Sequence, residues 1–314
     1  MKTTTAYLKL FRIQNLLMIA LLMYFLRYFL LRPVYEYDFI TLQIDGFSFF
    51  LFVLGYVLLA AGGYAINDYY DIGMDEINRP EKTILRKEIP LSNGQYAYFI
   101  MTFLGVAISL WAIFRIGAPK LIFVLAIVTL LYWFYSTKYK RELIVGNVAV
   151  AFLAALSIGI VWLYEFFASI YNGIIPLHNL GYITNIVLAY SAFAFLLTLI
   201  REIIKDMADV EGDNEFKCRT LPIVLGNKKT MIILYILLTI MLVGIGASAW
   251  YFYTISHIYM LSFAALLTVM MIYFTSKLTK ALERKDFIFL SDLLKIIFLA
   301  GIISIQLFSI EIRF

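Results

Sequence analysis

Long uninterrupted apolar segments alternate with short polar stretches along almost the whole chain. A helix needs about 20 apolar residues to cross the hydrocarbon core of a membrane. The pattern therefore predicts an all-α, polytopic membrane protein in which residues 1–314 form a single transmembrane domain. Nine segments are predicted to be membrane-spanning helices: about 13–31, 47–66, 96–116, 119–137, 143–163, 180–204, 230–253, 258–276 and 287–310.

The composition supports this fold class. Charged residues make up 15% of the chain and apolar residues 63%, with a mean hydropathy of +0.87, whereas soluble domains are roughly 25% charged. The two histidines, His178 and His257, are too scattered to suggest a zinc or haem site. Cys218 is the single cysteine, which excludes an intramolecular disulfide.

The basic residues predict the orientation of the bundle, because Lys and Arg collect in short cytoplasmic loops. We predict a protein of the plasma or inner membrane with a cytoplasmic N-terminus, an external C-terminus and an external loop at 165–179. The net charge of +5 reflects this orientation and does not indicate nucleic acid. All but five of the 26 Lys and Arg residues then lie inside, the exceptions being Arg27, Arg32, Arg115, Lys120 and Arg313.

Two clusters of aspartates share a spacing of three and then four residues. On an α-helix this spacing places the three carboxylates of a cluster within about 60° of one another. Each cluster follows a predicted spanning helix, and four crossings separate them, so we expect both on the cytoplasmic side, where they can converge on one cavity. They are Asp68, Asp71 and Asp75, and, 138 residues later, Asp206, Asp209 and Asp213.

The similarity between the two halves continues beyond the aspartates and suggests a diverged, parallel internal duplication. Each cluster leads into one of the longest predicted cytoplasmic loops, about 67–95 and 205–229, and we predict that these two loops cap the site. A proline and a glycine follow in both halves: Pro90 and Gly94 in the first, Pro222 and Gly226 in the second.

The residue types indicate a metal ion and a phosphorylated ligand. Mg²⁺ prefers oxygen ligands and is usually shared between carboxylates and substrate phosphates. Acidic and basic groups together therefore predict a magnesium-bound diphosphate. A cation transporter is the alternative from another class, but both clusters gather on one face, with no acidic set at mid-membrane. The basic residues near the clusters are Arg79, Lys82, Lys138, Lys140, Lys217 and Arg219.

The aspartates belong to two longer motifs. The first reads NDxxDxxxD from Asn67 to Asp75 and is followed by Asn78, Arg79 and Pro80; the second runs from Lys205 to Asp213. In these motifs, and in their position after the second and sixth of nine predicted helices, the chain resembles the UbiA superfamily of intramembrane prenyltransferases. The resemblance extends over the whole chain.

This resemblance implies transfer of a prenyl group from an isoprenoid diphosphate to a lipophilic acceptor. It implies that the six aspartates hold two Mg²⁺ ions, with Asp68, Asp71, Asp206 and Asp209 in the catalytic role. Aromatic rings beside the first motif, at Tyr64, Tyr69 and Tyr70, would shield an allylic cation. The implied substrate contacts are Arg12 and Asn15 at the start of helix one, Asn67, Arg79, Lys82, Tyr135 with Lys138 or Lys140, and Arg219.

A narrower resemblance concerns the acceptor. The stretch from Glu202 to Asp213, followed by Thr220, Leu221 and Pro222, resembles the branch that contains geranylgeranylglycerol-phosphate geranylgeranyltransferases and chlorophyll or homogentisate prenyltransferases. It implies a geranylgeranyl-type donor and geranylgeranylglycerol phosphate as acceptor. The alternatives are an aromatic quinone precursor of the menaquinone or ubiquinone type, or cyclisation of the prenyl chain. The expected partners are these substrates and membrane lipids, with no nucleic acid and no obligate protein partner.

Overall fold

The apolar segments form helices, and the computed structural model describes residues 2–174 and 178–312, without the side chains of residues 2, 3 and 82. Among these residues no strand forms, so the prediction of an all-α protein is confirmed. The helices are α1 (Lys2–Leu10), α2 (Ile13–Phe25), α3 (Arg32–Tyr37), α4 (Gly46–Asn78), α5 (Leu91–Arg115), α6 (Leu121–Thr137), α7 (Val145–Tyr171), α8 (Leu180–Ala208), α9 (Val210–Glu215), α10 (Leu221–Thr254), α11 (Ile258–Leu278), α12 (Arg284–Ser304) and α13 (Gln306–Glu311).

Eight helical stretches in the described part of the chain are long and apolar enough to cross a membrane. The predicted segment 119–137 forms α6, which has 17 residues, or about 26 Å of helix, against a hydrocarbon core of about 30 Å. The ninth crossing therefore stays a prediction. The eight stretches are Ile13–Tyr37, Gly46–Asn78, Leu91–Arg115, Val145–Tyr171, Leu180–Ala208, Leu221–Thr254, Ile258–Leu278 and Arg284–Glu311.

The helices that carry the aspartates extend beyond their predicted membrane segments. Because α4 continues to Asn78, the first motif lies in its last turns and the predicted loop 67–95 is reduced to 79–90. The second motif is divided, since α8 ends at Ala208 and α9 begins at Val210. The expectation that the second set of aspartates shares one face of a continuous helix is therefore wrong.

Close packing of α9 against the end of α4 accounts for this break. The backbone N–H of Gly212 donates to Asn78 Oδ1 at 2.8 Å. A Cβ at Gly212 would lie 2.6 Å from Asn78 Nδ2, so any larger residue here would displace the Asn78 amide. The chain leaves the axis of α8 at Asp209, whose φ is −107° and ψ is 12°. Gly212 therefore couples the two motif-bearing helices.

At the other end of the bundle, a buried ion pair fixes the connection between α3 and α4. Helix α7 continues to Tyr171, so Glu165 lies within it and not in the predicted external loop. The Glu165 carboxylate, which is 1% exposed, accepts from Arg27 Nη1 at 3.4 Å and from the backbone N–H of Ile44 at 3.3 Å. The cluster lies at the start of α4, which is about 33 Å along the helix axis from Asp68.

Candidate active site

The first motif occupies the last turns of α4, where Arg12 binds Asp68. The chain turns between α1 and α2 at Arg12, whose φ of 51° and ψ of 55° lie in the left-handed region. Arg12 Nη2 donates to Asp68 Oδ1 at 2.6 Å, and the guanidinium carbon lies 4.9 Å from the centre of the Tyr64 ring. Asn15 Nδ2 donates to the Tyr64 hydroxyl at 3.3 Å. The predicted pair at the start of helix one therefore reaches the motif.

Asp71 is bound by one of the two candidate lysines. Lys140 lies in a short 3₁₀ turn after α6, at Tyr139–Arg141, and its Nζ donates to Asp71 Oδ2. Asp71 is only 2% exposed, whereas Lys138 directly follows α6 and is exposed. Burial by itself lowers the pKa of Lys140, but the charges of Asp71 and Asp75 and the hydrogen bond to Asp71 act in the opposite direction, and the net effect raises that pKa above its usual value. Lys140 is therefore charged at neutral pH.

The tyrosines beside the first motif lie on different sides of α4. Tyr64 is one turn before Asp68 and faces Arg12. Tyr69 and Tyr70 are turned from Asp68 by about 100° or more and contact each other edge to face, with ring centres 5.3 Å apart. Tyr64 is thus the tyrosine of the three that is aligned with the aspartates.

The second motif is bound by side chains from α7 and from the end of α4. Asn147 Nδ2 donates to Asp206 Oδ2 at 2.7 Å. Arg79, which directly follows α4, binds Asp209 through two hydrogen bonds, one from Nε to Oδ1 at 3.2 Å and one from Nη2 to Oδ2. A residue of the first motif region therefore pairs with an aspartate of the second.

The charges around Asp213 also show that the two motifs meet. Asp213 is buried, and burial raises its pKa to about 6; the charge of Lys140 lowers that pKa, and those of Asp209 and Asp71 raise it. Asp71 belongs to α4 and Asp213 to α9, so carboxylates from both halves interact around one lysine. The predicted convergence of the two aspartate clusters is what the structure shows.

The carboxylates fit a magnesium ion that is shared with a ligand. Among the described residues, no three His, Cys, Asp or Glu side chains form a cage that could hold a metal ion by themselves. Mg²⁺ usually takes one or two protein carboxylates together with substrate phosphates and water. Six carboxylates at the end of α4, at the end of α8 and in α9 therefore match an ion that binds with a diphosphate. At present several of them are neutralised by Arg12, Lys140 and Arg79.

For the other residues predicted to contact substrate, the structure describes no hydrogen bond from the side chain to an aspartate of either motif. Asn67 is buried, and its Oδ1 has no hydrogen-bond partner within the described residues. Tyr135 lies in the last turn of α6, close enough to Lys140 to interact electrostatically. Arg219 is exposed, and its backbone N–H donates to Arg141 O at 3.0 Å. The side chain of Lys82 lies outside the described part of the structure.

Sequence reasoning missed Asn147. It stands near the start of the apolar segment 143–163, and a polar residue at such a position is a usable signal of a functional contact.

Comparison with known proteins identifies the family. The sequence profile described as "UbiA prenyltransferase family" matches residues 40–300 of this chain. The chain belongs to the UbiA prenyltransferase family. The predictions of a prenyltransferase and of an integral membrane protein are thereby confirmed, and the transporter alternative is set aside.

Two UbiA-family relatives illustrate the degree of similarity. Digeranylgeranylglyceryl phosphate synthase of Methanosphaera stadtmanae is 33% identical over 207 residues, which cover 65% of this chain and 68% of the relative. The protein of the same name from Sulfolobus acidocaldarius is 33% identical over 225 residues, covering 72% of this chain and 74% of the relative.

Solved structures show that the fold is that of UbiA prenyltransferases. A structure of digeranylgeranylglyceryl phosphate synthase in membranes matches with a TM-score of 0.64 at 23% identity, over 99% of this chain and 100% of that one. A UbiA homologue from Archaeoglobus fulgidus, bound to GPP and Mg²⁺, matches with a TM-score of 0.55 at 17% identity, over 96% of this chain and 99% of the other. The predicted UbiA-like bundle is confirmed.

In this prenyltransferase an arginine outside both motifs joins the helices that carry them. Arg284, at the start of α12, donates through Nε to Ala208 O at 3.1 Å and through Nη2 to Asn78 O. These carbonyls lie at the C-terminal ends of α8 and α4, which carry partial negative charge. The guanidinium thus keeps the C-terminal ends of α8 and α4 at the same height in the bundle. In the sequence, nothing distinguishes Arg284 from the neighbouring basic residues.

Replacing Arg284 by alanine is expected to lower prenyl transfer about tenfold, because two charge-assisted hydrogen bonds between the motif-bearing helices are lost. The magnesium concentration for half-maximal activity should rise, since the two sets of carboxylates are less well aligned. Titration of activity with magnesium measures both effects. Lys285→Ala is the matched control, because Lys285 is 77% exposed and pairs with Glu283 on the surface. Equal magnesium dependence in the two variants would contradict the prediction.

Proposed function

We propose that this chain is a magnesium-dependent prenyltransferase that moves a geranylgeranyl or similar group from its diphosphate to a hydroxyl group of a glycerol-phosphate lipid. The observation that carries the proposal is the convergence of both aspartate motifs with Arg79 and Lys140 at one end of the bundle. The names of the M. stadtmanae and S. acidocaldarius relatives support geranylgeranylglycerol phosphate as the acceptor. The GPP and Mg²⁺ bound to the A. fulgidus homologue support the donor class and the ion.

The six aspartates are proposed to hold Mg²⁺ against the diphosphate, with Asp68, Asp71, Asp206 and Asp209 as the catalytic set. When bound, the ions would neutralise the negative charge that develops on the departing diphosphate. Asp75 and Asp213 complete the two ligand sets. Because these carboxylates come from both halves of the chain, a diphosphate can bridge them only if the two helix ends stay close together.

The basic residues are proposed to exchange partners when substrate binds. In the structure Lys140 binds Asp71, and Arg79 binds Asp209. Once those carboxylates take part in metal binding, the same ammonium and guanidinium groups can donate to diphosphate oxygens without large movement. Arg12, Asn15 and Asn67 would line the same cavity from the start of α2 and from α4, together with Tyr135 from the end of α6 and Lys82, Lys138 and Arg219 from the loops around it.

The carbon skeleton of the donor requires an apolar surface next to these charges. Tyr64 lies about one turn before Asp68 on α4 and packs against an apolar cluster of the buried residues Leu16, Ala60 and Ala61, on the side away from the end of the helix. The bond from the diphosphate oxygen to the first prenyl carbon breaks, the acceptor hydroxyl oxygen forms a new bond to that carbon, and the hydroxyl proton passes to the departing diphosphate. The Tyr64 ring is placed to shield the developing allylic cation from water.

The orientation in the membrane is part of the proposal. A cytoplasmic N-terminus and active site, an external C-terminus and nine crossings with α6 included would account for the positions of the basic residues. In this arrangement residues 1–314 form one transmembrane domain, and the chain around both motifs caps a site that faces the cytoplasm.

A panel of acceptors tests this function. Purified protein is incubated with magnesium, geranylgeranyl diphosphate and either geranylgeranylglycerol phosphate or aromatic acids of the quinone pathway type, and products are identified by mass. We expect an ether-linked product with the glycerol phosphate alone. Transfer only to an aromatic acid would instead support a quinone precursor as acceptor, and diphosphate release with a hydrocarbon product would indicate cyclisation.

A further inference from the structure

Two basic residues of α8 differ from the other cations around the site. Arg12, Arg79 and Lys140 each bind an aspartate of a motif. By contrast, Arg201 and Lys205 both bind the single carboxylate of Glu202, at 3.1 Å and 2.7 Å. Two cations therefore share one anion.

Arg201 is incompletely satisfied by this contact. Adjacent residues on a helix do not face each other, so a pair between Arg201 and Glu202 is a poor substitute for a partner on another element. The Nε–H of Arg201 is buried and has no hydrogen-bond partner among the residues that the structure describes. Both basic side chains are only 23% exposed. A largely buried guanidinium with an unsatisfied N–H favours binding of a further anion.

The position of this group matches the depth of the first motif. Arg284 binds Ala208 O and Asn78 O, which sets the ends of α8 and α4 at one level. Arg201 stands seven residues, or about 10 Å of helix, before Ala208, and Asp71 stands seven residues before Asn78. Lys205 and Asp75 each stand three residues before the same two helix ends. The basic pair is therefore level with Asp71 and Asp75 of the first motif.

We propose that Arg201 and Lys205 bind the phosphate monoester of the acceptor, at a subsite separate from the diphosphate site. This inference rests on the proposed transfer to a glycerol-phosphate lipid. In such a lipid with one alkyl chain and one phosphate at its ends, the free hydroxyl is on the carbon next to the phosphate-bearing carbon. Binding the phosphate at this level thus brings the hydroxyl towards the reacting carbon. Glu202 holds both cations in place and accepts no substrate group.

The test compares two acceptors in three proteins. Geranylgeranylglycerol phosphate and geranylgeranylglycerol, which lacks the phosphate, are assayed with the wild type, Arg201→Gln and Lys205→Gln. Each substitution should raise the KM for the phosphorylated acceptor about tenfold, because it removes one charge-assisted hydrogen bond to the phosphate. The preference for the phosphorylated acceptor, as a ratio of kcat/KM values, should fall by the same factor, which a purely structural defect would not produce.

Controls separate this inference from folding and from the proposed function. Arg201→Lys should retain part of the preference, and Arg86→Gln, on an exposed pair with Glu76, should retain all of it. Excess glycerol 3-phosphate should compete weakly if the subsite takes any phosphate monoester, and not at all if the lipid chain is required. Should the wild type use only aromatic acceptors, the proposed function fails. Should it use the phosphorylated lipid while both variants keep the wild-type preference, or lose affinity for both substrates equally, the subsite is wrong.

Discussion

Replacing Asp68 or Asp206 by asparagine is expected to reduce prenyl transfer about 1000-fold. A loss of this size is typical when a group that stabilises charge in the transition state is removed. The amide keeps the size and one acceptor oxygen of the carboxylate but removes its charge. Because one aspartate comes from α4 and the other from α8, equal losses would show that both halves serve one diphosphate. Initial rates with saturating magnesium and donor measure the effect.

Glu76→Gln provides the matched control for both substitutions. Glu76 lies on α4 just after the first motif, but it is 40% exposed and pairs with Arg86 at 3.4 Å. Its neutralisation should leave the rate unchanged. Thermal unfolding of all three variants in detergent should stay close to the wild type, since Asp68 is partly accessible and Asn147 can still donate to an amide at position 206. Undiminished transfer by either aspartate variant would contradict the assignment.

Lys140→Gln is expected to reduce transfer about 100-fold, while Lys138→Gln reduces it by no more than about threefold. The two lysines are two residues apart, yet Lys140 binds the buried Asp71 and Lys138 is exposed. Loss of Lys140 also leaves the Asp71 carboxylate buried without a counter-ion, which should lower the free energy of unfolding by about 3 kcal/mol.

Magnesium distinguishes the two roles of Lys140. If the lysine only stabilises the fold, saturating magnesium should restore both stability and activity, because Asp71 regains a cation. If it also contacts the diphosphate, stability recovers and activity does not. Lys140→Arg keeps the charge and should retain the stability of the wild type. Equal loss of activity in the Lys138 and Lys140 variants would contradict the placement of Lys140.

Features that depend on long or repeated patterns were predictable from the sequence. Apolar segments of about 20 residues have few alternatives to helices in a membrane. The first motif lies on a continuous helix because Asp68, Asp71 and Asp75 follow an apolar run without proline, and its spacing correctly indicates one face. The convergence of the two motifs followed from counting crossings.

Features that depend on contacts between distant elements were not predictable. The break at Asp209 has no proline or other local signal; it follows from the approach of Gly212 to Asn78. The choice of Lys140 over Lys138 depends on a 3₁₀ turn that sequence spacing does not specify. Arg284 is one of several charges in a connector, and its function depends on two carbonyl groups contributed by other helices.

The most direct test of the account measures binding without turnover. A geranylgeranyl thiolodiphosphate, which resists cleavage, is titrated into the purified protein with and without magnesium, and into Asp68→Asn and Asp206→Asn. If both motifs form one site, the wild type should bind one analogue molecule per chain only with magnesium, and each single substitution should abolish that binding. Equal binding of the analogue without magnesium, or full binding by either variant, would contradict a single diphosphate site built from both halves of the chain.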